Sequence, residues 1–125
     1  MCACGNYLDN LALADQSLGE LRQAIAQSPL AAHTILVVSS DHSWRVPIWS
    51  SSPGWTKEED RISHEKFDTR PVFMVHFPGE IQGARVGAPV PELAEHQVLS
   101  SMLKGSVSDP ESLLRAIQPP PATPK

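Results

Sequence analysis

Residues 34–39, TILVVS, constrain this 125-residue chain more than any other segment. A near-continuous β-branched run after a short polar connection suits a strand buried on both faces of a parallel sheet. The run passes at once into Ser40, Asp41, His42 and Ser43, so ionisable side chains stand at its carboxyl end. Open α/β sheets place their ligands just beyond such strand ends. A second run at 71–77, PVFMVHF, is stopped by Pro78 and Gly79 and predicts another buried strand. The length is about that of one domain, so both strands are expected in a single core.

Helical signals surround the strands. Leu8, Leu11, Leu18, Leu21 and Ile25 recur at spacings of three, four and seven, predicting an amphipathic helix over 8–27 that Ser28 and Pro29 end. Asp15 falls on that apolar stripe, either as an edge residue with a satisfied hydrogen bond or as a buried interaction. Residues 43–65 hold Trp44, Trp49 and Trp55 among serines, two prolines and a cluster of charges without a sustained period. They read as a long ordered excursion over the sheet edge, with the three Trp packing the loop down or lining a pocket. Residues 80–91 are Gly- and Pro-rich loop, and 92–103 predict a short helix. Residues 110–117 predict a last helix with Asp109 as N-cap and Pro110 at the first helical position.

Composition excludes several classes. With 41% hydrophobic and 19% charged residues the chain is globular rather than a disordered polyelectrolyte. Its net charge of −4 argues against nucleic acid as a partner. No apolar run approaches the roughly 18 to 20 residues that cross a bilayer, so no membrane span is expected. Residues 1–10 lack the basic and apolar regions of a secretory leader. Cys2 and Cys4, one residue apart, are too few to staple a fold or to build a zinc site alone.

The adjacent Asp41 and His42 supply a hard carboxylate oxygen and an imidazole nitrogen that can face one divalent cation. Zn, Mn and Ca sites need three or more ligands, so the others must come from elsewhere. In the plainer alternative Asp41 caps a turn and His42 bonds to a backbone carbonyl.

Four ordered blocks between Tyr7 and Gly105 resemble the carboxyl-terminal half of the sulfatase-like branch of the alkaline phosphatase superfamily. NYLDNLALADQSLGELRQAI is similar to the family's Tyr, Asn, Asp and Leu-Gly pattern leading into a helix. HTILVVSSDH resembles its Thr, apolar run and Ser-Asp-His. RPVFMVHFPGEIQG and ELAEHQVLSSML are similar to the strand and helix that follow. Three features depart from the pattern: Ser43 stands where the family has Gly, no Cys/Ser-x-Pro-x-Arg nucleophile motif precedes Asp41, and the paired acidic ligands near the start of the family's first strand have no counterpart.

The resemblance implies an α/β fold with a mostly parallel central sheet flanked by helices, alkaline phosphatase-like but incomplete. Residues 1–118 would be the carboxyl-terminal portion of the catalytic domain and 119–125 a Pro-rich tail. It implies a metal-dependent hydrolase of sulfate or phosphate esters, with a small-molecule ester as substrate and the nucleophile outside this chain. Asp41 and His42 would ligate a divalent ion (Ca, Zn or Mn), and Asp15 would satisfy buried donors. The Lys or His that contacts the transferred group would be His64 or Lys66. The alternatives are part of a phosphoethanolamine-type transferase, or a non-catalytic α/β interaction domain in which Asp41 and His42 are structural.

Overall fold

In the computed structural model, residues 6–65, 69–80 and 82–117 are described. They form two compact units with the boundary between Val75 and His76.

In the first unit, α1 (Tyr7–Ala26) starts where Asn6 accepts the backbone N–H of Asp9, an N-cap that satisfies a donor the helix cannot. A short 3₁₀ turn, Ala31–His33, leads into β1 (Leu36–Ser39). Then come α2 (Val46–Trp49) and α3 (Lys57–Ser63), followed by β2 (Phe73–His76) at the boundary. The excursion read from sequence as irregular therefore carries two short helices. Pro47 sits at the start of α2, where its missing N–H costs nothing. Thr56 and Glu59 form a capping box on α3.

The mixed helix-and-strand class is as expected, but the mostly parallel central sheet is not. Among the described residues the sheet has two strands and is antiparallel. Ser40 donates its backbone N–H to the Val72 carbonyl at 3.0 Å, and the Val72 N–H donates to Ser40 Oγ at 2.8 Å. The chain thus leaves β1 and returns to the same end of it. A parallel partner requires a crossover back to the other end. Burial on both faces fails as well: Leu36, Val37 and Val38 are half-buried and Ser39 is exposed. Asp41 and His42 accordingly follow the end of an antiparallel ribbon strand, not the ligand-binding crest of a parallel sheet.

The stripe on α1 is likewise only partly covered among the described residues. Leu8, Leu18 and Ile25 are half-buried, Leu11 and Leu21 exposed, and no residue of the helix is buried. Asp15 is exposed, so the buried role implied for it does not hold.

In the second unit, Pro78 and Gly79 turn the chain after Phe77. Gly79 has φ +74°, and the Glu80 N–H donates to the Phe77 carbonyl at 3.2 Å, a turn that places Gly where a side chain would be strained. α4 (Glu92–Leu103) ends in a Schellman motif at Gly105, φ +74°. There the N–H groups of Gly105 and Ser106 donate to the Met102 and Ser101 carbonyls. α5 (Pro110–Ile117) begins as its sequence indicates, with the Ser112 N–H donating to Asp109 Oδ1 at 2.9 Å. α4 and α5 pack together, and among the described residues Phe77, Val98 and Val107, each 3% exposed or less, are the buried apolar side chains of the unit.

Candidate functional site

The turn after β1 carries the two side chains singled out by sequence. Asp41 is 88% exposed at its side chain and His42 37%. His42 Nδ1 lies 2.8 Å from the Ser43 carbonyl oxygen. A carbonyl only accepts, so Nδ1 carries the proton and Nε2 presents a lone pair in the neutral ring. That nitrogen lies 3.7 Å from Asp41 Oδ2. Two donors bound to one tetrahedral zinc at 2.0–2.1 Å lie roughly 3.3 Å apart, so a small rotation brings the pair to a common cation. Metal-bound histidines commonly hold their other ring nitrogen on a backbone carbonyl, which fixes tautomer and ring plane. The Asp41–His42 turn has that arrangement, and it joins both sequence readings: the carbonyl bond exists, and it leaves the ligand atom free.

The structure does not gather more ligands around the pair. Among the described residues, no group of three or more His, Cys, Asp or Glu side chains could hold a metal ion. His64 caps the carboxyl end of α3, with Nδ1 2.6 Å from the Asp60 carbonyl, and is exposed. Lys66, Cys2 and Cys4 lie outside the described residues. His33 and His96 are exposed, and His76 Nδ1 lies 4.0 Å from Glu80 Oε2.

Aromatic rings adjoin the turn. Trp44 stacks on Tyr7 with centroids 5.0 Å apart and planes 7° from parallel, and Trp55 tilts against Trp44 at 5.5 Å. Trp55 Nε1 donates to Asp60 Oδ1 at 3.3 Å. Trp49 is exposed on α2. Trp44 therefore packs the excursion against the first residue of α1, and Trp55 packs against Trp44.

Glu59 is the residue that sequence reasoning missed. It is 2% exposed, yet it lies in what reads as a solvated charge cluster. Its Oε1 accepts the Tyr7 N–H at 2.7 Å, and its Oε2 accepts the Thr56 N–H and hydroxyl, each at 2.8 Å. Burial alone would raise its pKa. The hydrogen bonds from Thr56 and from the backbone of Tyr7 and Leu8 outweigh that and hold the carboxyl below the usual glutamate range. The signal was present as Thr56-x-x-Glu59, the spacing of a capping box.

Among the described residues no helix is long and apolar enough to cross a membrane. The chain matches no protein-family model, no curated protein and no solved structure.

Proposed function

We propose that this chain is the carboxyl-terminal portion of a sulfatase-like catalytic domain, a metal-dependent hydrolase of sulfate or phosphate esters, and that Asp41 and His42 supply two of its metal ligands. The observation that carries the reading is the turn geometry: Nδ1 of His42 is engaged by the Ser43 carbonyl while Nε2 faces Asp41 Oδ2 at 3.7 Å. The four ordered sequence blocks support it. A divalent cation in such a site lowers the pKa of a coordinated nucleophile and neutralises charge on the group transferred. The chain's own contributions are a carboxylate oxygen from Asp41, an imidazole nitrogen held in one tautomer by Ser43, and a cationic or hydrogen-bonding contact to the ester from His64 or Lys66. A phosphoethanolamine-type transferase would use the same ligand pair.

A non-catalytic interaction domain is the rival reading, and the lack of a third ligand among the described residues favours it. Calorimetric titration with Zn and with Mn separates the two. The proposal expects weak binding, because two protein ligands leave most of the coordination sphere to water. It also expects that binding to be lost in both Asp41→Ala and His42→Ala. Binding that survives either substitution would make the pair structural and favour the interaction domain.

A further inference from the structure

We propose that Glu59 is a positioning residue for the Asp41–His42 turn, acting through Tyr7 and Trp44. Glu59 is the buried charged side chain of the described residues, and the proposed chemistry does not use it. One carboxylate oxygen, Oε1, reaches 52 residues back along the chain to the first turn of α1 at Tyr7, and the other, Oε2, holds the cap of α3 at Thr56. The ring of Tyr7 stacks on Trp44, and Trp44 packs against Trp55, which directly precedes Thr56. These contacts close a circuit from Glu59 through Tyr7, Trp44, Trp55 and Thr56 back to Glu59. Trp44 also follows Ser43, whose carbonyl accepts the His42 Nδ1–H. A shift of the Trp44 ring therefore moves the peptide that sets the tautomer and plane of His42.

The bond from position 7 to Glu59 comes from the backbone, so any residue there can donate it, whereas the stack needs an aromatic ring. This separates the parts of the circuit by mutation. Groups that orient a metal-bound histidine are typically worth 10- to 100-fold in metal affinity.

The inference rests on the metal-site reading for its ligand, but its geometry can be read without metal. The ¹⁵N chemical shifts of the His42 ring in the metal-free protein report the Nδ1–H tautomer, and zinc titration reports affinity. Glu59→Gln and Tyr7→Leu should each shift the His42 ring signals toward a mixed tautomer and lower zinc affinity about tenfold, while Tyr7→Phe leaves both at wild-type values. Should Glu59→Gln fail to fold, Tyr7→Leu still tests the aromatic link through which Glu59 acts. Unchanged His42 ring signals in a folded Tyr7→Leu protein would overturn the positioning role. Zinc binding that persists in Asp41→Ala would overturn the metal reading instead, and the metal-free ring signals would still judge Glu59.

Discussion

The two units are held together by opposite means. The second, from His76 onward, buries Phe77, Val98 and Val107, a small apolar core beneath two packed helices. The first buries no apolar side chain among its described residues, and its one fully buried side chain is the carboxylate of Glu59. Apolar burial is non-directional and tolerates repacking, whereas a buried charge is favourable only while every hydrogen bond to it is made. The first unit is therefore expected to fail abruptly when one polar partner is lost, and the second to weaken in proportion to the volume removed. The candidate metal ligands lie in the first unit, beside its polar and aromatic circuit.

The largest effect should come from Glu59→Ala, which strands the Tyr7 and Thr56 donors and removes caps from two helices. A loss of about 2 to 4 kcal/mol follows from these terms. All three Trp and the single Tyr lie in the first unit, so Trp fluorescence during urea unfolding reads it directly. A change below about 0.5 kcal/mol, the usual range for an exposed site, would remove the contrast between the units.

Val98→Ala should cost the second unit about 1.5 to 3 kcal/mol, through two lost methyl groups and the cavity they leave. Amide hydrogen exchange along α4 measures this. The contrast sharpens if the Trp signal of the first unit keeps its midpoint.

Acid provides a third test. The folded pKa of Glu59 lies below its unfolded value, so its contribution is fully present above the ordinary glutamate range. It is lost as pH falls through that range toward the folded value. The Trp-monitored midpoint should drop below about pH 4.5, and Glu59→Gln should flatten that drop. The Asp109 carboxyl is also lowered, by the Ser112 backbone N–H above all, so the cap of α5 weakens in the same direction. Asp109 is exposed and solvent screens it, so the acid response of the second unit should be the shallower.

The smallest effect belongs to Asp15→Leu. Asp15 is exposed, and a change within about 0.5 kcal/mol in the urea midpoint is expected.

What the sequence disclosed follows the same division. The helices at 92–103 and 110–117 were legible to the residue, because breakers and caps such as Asp109 and Pro110 act locally. The runs around β1 and β2 announced strands, but their pairing depends on where the chain returns, which the Ser40–Val72 bonds decide and local pattern cannot. The stripe on α1 promised burial that the described residues do not provide, since periodicity shows which face could be covered and not whether a partner exists. Asp41 and His42 were visible as a ligand-type pair. The bond of His42 to a backbone carbonyl was legible as an alternative because Ser43 is its neighbour, whereas the contact of Glu59 with Tyr7 was not, because those groups meet only after folding.

The central claim is that the turn after β1 is built to present His42 Nε2 and Asp41 Oδ2 to one cation. Long-range ¹H–¹⁵N correlation spectra of the histidine rings during zinc titration test it most directly. The account predicts that Nδ1 of His42 carries the proton before and after zinc is added, that Nε2 of His42 is the ring nitrogen shifted by the metal, and that Asp41→Ala suppresses the shift. Zinc that shifts the ring of His64 or His76 first, or that binds Nδ1 of His42, would contradict it.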